Sequence, residues 1–294
     1  MTLATLFVLC RFLHFLSVMQ VLGVSVMVGL LAPKDFAAGL LRQNQRLMAI
    51  SVGIALLTSI GMLAIQAGLM GNGWQDCLNL NVWLLVLTTT FGEVWRWHLL
   101  LTAMVLLVWL MEWLPGRVML MCLISTALLF SQALIGHAAM HEGALGAFQR
   151  ANHAVHLISA AYWFGSLLPL LGCLRYTEKP STRPYAISTL IRFSTYGHAA
   201  VALVVITGIL NSAIILQRIP TDLSSPYVQL LLCKVVLVVV MIGVAIYNRY
   251  RLVPLIATHP QQAYCRLISA TKLELLLSLV VVLLVSWFAT LSPL

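Results

Sequence analysis

Residues 3–31 read LATLFVLCRFLHFLSVMQVLGVSVMVGLL. A membrane-spanning helix needs roughly 20 predominantly apolar residues, and this run exceeds that with Arg11 and His14 as its only basic groups. It is too long for the apolar region of a signal peptide and lacks a small-residue cleavage site, so no cleavable leader is expected. Outward from it, the same reading yields eight segments at about 4–31, 47–70, 94–113, 117–139, 150–173, 191–216, 227–248 and 269–291. Breaks fall where Pro, Gly and charge gather, as at Pro33-Lys34-Asp35, Gly71-Asn72-Gly73, Pro115-Gly116-Arg117 and Lys179-Pro180.

Composition supports the pattern. The chain is 61% hydrophobic and 9% charged, with a mean hydropathy of +0.99. Soluble domains carry about 25% charged residues, so this chain has too little charge to cover a water-facing surface. The net charge of +9 is not a nucleic-acid signal, because the basic residues sit in short loops between apolar runs. Lys34, Arg42, Arg46, Arg117, Arg175, Lys179, Arg183, Arg192, Arg249, Arg251, Arg266 and Lys272 fall in alternate loops; only Arg96, Arg150 and Arg218 fall on the other side. Twelve against three places the basic set in the cytoplasm. Both termini then lie outside, in the periplasm of a Gram-negative cell. The six cysteines form no CxxC pair, which argues against a disulfide framework or a thiolate zinc site. Walker, GxSxG, HExxH and dinucleotide motifs are absent, and eight dispersed acidic residues cannot build a hydrolase or an ATP-driven pump.

The chain repeats itself. His14-Phe15-Leu16-Ser17 is followed by Gly23, and His156-Leu157-Ile158-Ser159 by Gly165 at the same interval. Arg46 and Arg192 open the next segments, with Gly61 and Gly208 at similar depth. His98 and Lys234 occupy comparable points in segments three and seven, and Arg11 takes the repeat position of His153. The expected fold is therefore an all-α membrane protein of eight transmembrane helices, built as two parallel four-helix halves, 1–140 and 141–294.

Six of the eight histidines gather at the outer face. His137 and His141 are spaced i,i+4 and His153 and His156 i,i+3, so each pair can share a helix face; His98 and His14 join them by depth. Met19, Met70 and Met140 lie in the same half of the membrane. Neutral imidazole is a metal ligand and thioether adds affinity for Cu(I), so the mixed set points to copper, with Met140, His141 and His98 as additional candidates. His198 lies apart, towards the cytoplasm, and His259 reads as a solvated loop residue. Gln20, Gln66 and Asn211 read as interhelical hydrogen-bonding groups, Arg11 and Lys234 as snorkelling side chains. Glu274 is expected to pair with Lys272 or Arg192.

Gly136-His137-Ala138, Asn152-His153-Ala154-Val155-His156, Trp163-Phe164-Gly165, Arg192-Phe193-Ser194, Thr207-Gly208-Ile209-Leu210-Asn211 and Leu230-Leu231-Leu232-Cys233-Lys234 resemble the CopD family of copper-resistance membrane proteins. Arg11-Phe12-Leu13-His14-Phe15 and Gly68-Leu69-Met70-Gly71-Asn72-Gly73-Trp74 are similar to its YebZ-type branch. The resemblance implies an inner-membrane copper-homeostasis protein that takes copper from a periplasmic CopC-like carrier. It implies ligand roles for His14, His137, His153, His156 and His198, and not for His98 or His141.

Two readings stand at this point. One is a copper permease, a transporter rather than an enzyme, with no catalytic residues. The other is a membrane haem oxidoreductase, with His14 and His156 as the two axial ligands of haem b.

Overall fold

In the computed structural model, residues 2–136, 140–217 and 224–292 are described. All regular structure among them is helical. Helix α1 runs Leu3–Val26 and widens into a π turn at Met27–Leu31; α2 is Lys34–Met70. A 3-10 turn at Gly73–Leu78 and short α3 (Leu80–Val86) lead to α4 (Thr90–Leu110) and α5 (Arg117–Gln132). Then come α6 (Gly143–Gly165), α7 (Leu167–Arg175), α8 (Arg183–Leu216) and α9 (Pro226–Tyr247). A π turn at Asn248–Leu252, α10 (Val253–Thr258) and α11 (Pro260–Phe288) complete the chain.

Among the described residues seven helical stretches are long and apolar enough to cross a membrane. The expected fourth span, 117–139, is a helix of 16 residues ending at Gln132, below the roughly 20 that a full crossing needs. Residues 137–139, which include His137, lie outside the described residues. The expected loop 33–46 is instead helix: Pro33 precedes the first turn of α2 and Asp35 sits within it, an arrangement that suits a helix start. Helix α6 stops at Gly165 because Pro169, four residues on, has no N–H for that carbonyl and its ring crowds it. The chain continues as α7 after a bend at Ser166.

Packing is inverted relative to a soluble protein. An apolar 18-residue segment of the Leu3–Leu31 stretch has a mean hydropathy of 1.9 and is 78% buried; that of the Pro226–Leu255 stretch has 2.8 and is only 11% buried. Lipid rewards the most apolar helix for facing outward, while the helix carrying Arg11, His14 and Gln20 belongs at the centre. Around α1 sit α2, α5, α6, α7 and α11; α4 packs on α2 and α5, α8 on α6, and α9 on α11.

The two repeat glycines are the reason α1 and α6 cross so closely. A Cβ on Gly23 would lie 1.9 Å from the Gly165 carbonyl carbon, and one on Gly165 would lie 2.0 Å from the Met19 oxygen. Only hydrogen fits at either position. The two imidazole-bearing helices are thereby held in backbone contact.

Of the described acidic residues, Asp76 and Glu274 are buried. Glu274 is buried and accepts from Asn248 Nδ2 at 2.9 Å, correcting the expected pairing with Lys272 or Arg192. Lys272 is exposed on another face of α11, and Arg192 Nη1 instead donates to the Leu31 carbonyl at 3.1 Å.

Candidate metal centre

His14, on the face of α1 that meets α2 and α4, is 1% exposed, and His98, two turns into α4, is fully buried. Their Nε2 atoms face each other at 2.8 Å, with ring centroids 4.9 Å apart. The outer nitrogens are anchored too: His14 Nδ1 lies 2.9 Å from Thr58 Oγ1 and His98 Nδ1 2.7 Å from Ser131 Oγ. Each hydroxyl has a backbone acceptor in reach, Ile54 O at 2.6 Å for Thr58 and Leu128 O at 2.8 Å for Ser131. Trp95 stacks on His98 at 4.4 Å and ties its indole N–H to Ser59 O at 3.0 Å, fixing the imidazole plane from one side.

Two neutral imidazoles carry two ring protons, and the network can hold them in two fully satisfied ways. In one, His98 Nε2–H donates to His14, His14 Nδ1–H donates to Thr58, and the Ser131 hydroxyl donates to His98. In the other, every direction is reversed. Neither arrangement leaves a buried donor or acceptor without a partner.

The second half reproduces part of this. His156 Nδ1 meets Thr207 Oγ1 at 2.9 Å, and Thr207 bonds the Leu203 carbonyl, matching His14 with Thr58 and the Ile54 carbonyl. Lys234, which the sequence repeat aligns with His98, lines one cavity with His156. In place of an imidazole partner, His156 borders a cavity of about 170 Å³ lined also by Arg11, Met19, His153, Asn211 and Lys234. His153 Nδ1 is 3.3 Å from Asn211 Nδ2, and the His153 and His156 rings are 6.3 Å apart.

The remaining candidates are dispersed. His141 links Gln149 at 2.8 Å and Gln217 at 3.2 Å, bracing the connection between α5 and α6. His198 is exposed, donates Nδ1–H to the Ser194 carbonyl at 2.8 Å and meets Tyr250 Oη at 3.2 Å. Met140 and Met70 are exposed. Thus His14 is joined with His98 and His153 with His156, while His141 and His198 stand apart. Among the described residues no three His, Cys, Asp or Glu side chains gather as a metal site. His14 does not line the cavity that His156 faces, so these two imidazoles do not converge on one space.

His98, expected at the interface, is the most enclosed histidine described. Sequence reasoning missed it as a partner of His14. Its signals were the intramembrane Trp95, one turn before it, and its alignment with Lys234.

Outside the spans, Asp76 holds the loop after α2. Its carboxylate accepts from Asn72 N at 2.6 Å and Asn79 Nδ2 at 3.2 Å, and these bonds lower its pKa.

Comparison with known proteins places the chain. Residues 1–147 match the family model for the copper resistance protein D-like N-terminal domain, and residues 187–288 that for copper resistance protein D. The chain is 39% identical to the inner membrane protein YebZ of Escherichia coli K12, over 99% of both chains. It is 27% identical to copper resistance protein D of Pseudomonas syringae pv. tomato, over 96% of this chain and 95% of that one. It is 32% identical to the copper transport protein CutJ of Bacillus subtilis 168, over 36% of this chain and 19% of that one. No solved structure gives a significant match. The chain belongs to the copper resistance protein D family, as a multi-pass inner-membrane member.

Proposed function

We propose that the chain takes copper from the periplasmic face and moves it inward, and that His14 and His98 hold Cu(I) between their Nε2 atoms. The observation carrying this reading is the 2.8 Å Nε2–Nε2 approach with both Nδ1 atoms anchored to hydroxyls. Metal–imidazole bonds of about 2 Å put two ring nitrogens roughly 4 Å apart across a linear ion, so the pair opens by about 1 Å to admit one. Both rings then carry their protons on Nδ1 and donate to Thr58 and Ser131, which turn their hydroxyls to Ile54 O and Leu128 O. Metal entry therefore shifts a tautomer and releases no proton. Outer-shell acceptors of this kind are what orient metal-bound histidines. Among the described residues no carboxylate hydrogen-bonds to the pair, so a monovalent ion leaves less uncompensated charge in the membrane than a divalent one.

On this reading eight helices cross, with α5 as the fourth; halves 1–140 and 141–294 run parallel and both termini are periplasmic. The alternation of basic loops supports that topology. His137, Met140 and His141, at the outer connection, receive copper from a CopC-like carrier, as the family resemblance implies. His198 lies on the inward side of the route. His153 and His156 line a cavity with Arg11 and Lys234, which His14 and His98 do not line.

The test is anaerobic Cu(I) titration of the purified protein against a chromogenic chelator. One tight equivalent is expected in the wild type and in His156→Ala, and none in His14→Ala or His98→Ala. Retention in His98→Ala with loss in His156→Ala overturns the assignment.

A further inference from the structure

Two cations line one cavity in the membrane interior, and among the described residues no carboxylate lines it with them. Arg11 on α1 and Lys234 on α9 both line the cavity beside His156. Each is met by an aromatic face: the Arg11 guanidinium lies 5.5 Å from the Phe15 centroid and the Lys234 ammonium 5.9 Å from that of Phe288. Among the described residues no carboxylate lines the chamber, and Glu274 is committed to Asn248. An aromatic face compensates a cation only in part, and a charge at membrane depth calls for a counter-charge or water.

The chamber's shape says what kind of counter-charge. Along α9 it is lined by Tyr227, Leu231, Lys234, Val238 and Met241, one helix face extending for about 20 Å at 1.5 Å per residue. Val282 and Val285 of α11, with Leu157 of α6, add apolar wall. Arg11, Lys234, His156 and Asn211 form a polar belt between apolar ends. At about 10–15 Å³ per water site, the cavity holds roughly a dozen waters or one slender chain. A small inorganic anion satisfies the belt and leaves the walls wet; an acyl chain with an anionic head satisfies both.

We propose that the second-half chamber binds a single-chain amphiphile with an anionic head, its carboxylate or phosphate held by Arg11 and Lys234 and its chain laid along α9 and α11. This goes beyond the copper reading and shares no ligand with it. The head can come from a free fatty acid or from a phospholipid-derived chain, since both present the same charge on the same tail.

The experiment uses the full chain in zwitterionic nanodiscs, with tritiated palmitate in a scintillation-proximity assay and palmitoyl-lysophosphatidylglycerol and hexadecyltrimethylammonium as competitors. Saturable palmitate binding is expected, weakened at least about tenfold in Arg11→Gln/Lys234→Gln, the scale of losing charge-assisted contacts. Val238→Trp, which fills the chamber and keeps both charges, should abolish it, guarding against a folding artefact in the charge variant. Palmitate binding alone identifies a carboxylate source. If labelled lysophosphatidylglycerol binds instead and requires both cations, the source is phospholipid. Equal competition by the cationic amphiphile, or undiminished binding in the charge variant, overturns the proposal. So does binding of the neutral short-chain quinone ubiquinone-1 with neither anionic probe bound.

Discussion

The His14–His98 contact makes a prediction whose sign is unusual. In His98→Phe, the Nε2 of His14 is stranded in a site that is 1% exposed, while Thr58 keeps Nδ1. In His14→Phe, the Nε2 of His98 is stranded in the same way. The hydroxyls suffer little in either variant, because Thr58 and Ser131 retain carbonyl acceptors at 2.6 and 2.8 Å. Each single change therefore costs the desolvation of one unsatisfied buried nitrogen, about 1–3 kcal/mol. The double variant strands nothing, and two phenyl rings near the present 4.9 Å centroid separation form a favourable aromatic pair. A double-mutant cycle should thus give a coupling of at least about 2 kcal/mol, with the double variant less destabilised than the sum of the singles. The assay is reversible unfolding in mixed micelles with copper removed. Additivity within about 0.5 kcal/mol refutes the contact.

Further expectations concern the frame around that pair. Gly23→Leu forces apart backbones that now leave 1.9 Å for a Cβ and should cost about 1–3 kcal/mol or more; Gly53→Ala, with nothing within 4 Å, should be neutral or stabilising in the same unfolding assay. Thr58→Val and Ser131→Ala remove the acceptors behind the imidazoles and should weaken Cu(I) binding by about 10–100-fold in chelator competition. Asp76→Asn should loosen the 73–78 turn at neutral pH, read by hydrogen exchange. The Asp76 carboxyl has a folded-state pKa below its ordinary value, so its contribution is present above the unfolded pKa of about 4. The contribution is lost as pH falls through the lower folded value. The difference between wild type and variant should therefore persist at pH 5 and vanish only in stronger acid.

Hydropathy made most of the spans legible because lipid demands long apolar helices and little else does. It missed the helical overhang of α2, since Lys34, Arg42 and Arg46 are as compatible with a helix outside the membrane as with a loop. Loop charge gives the side of the membrane and is blind to backbone conformation. The pairing of His14 with a hydroxyl on the next spanning helix follows the same logic as His156 with Thr207, and the repeat had already aligned those two histidines. What the repeat could not supply was azimuth. Depth brought six histidines to one level, yet His14 turns towards α2 and α4 while His156 turns towards α8, so the expected cluster divides into pairs. Arg11 and Lys234, read as snorkelling, instead line a chamber; nothing in a linear pattern distinguishes a cation aimed outward from one aimed at a void.

Copper K-edge absorption on the purified, singly loaded protein reads the atoms that hold the ion. A His14–His98 site gives Cu(I) with two imidazole nitrogens at about 2 Å and no sulfur neighbour, a signal that disappears in His98→Ala and is unchanged in His156→Ala. A sulfur-containing shell, or an unaltered spectrum in His98→Ala, would contradict it.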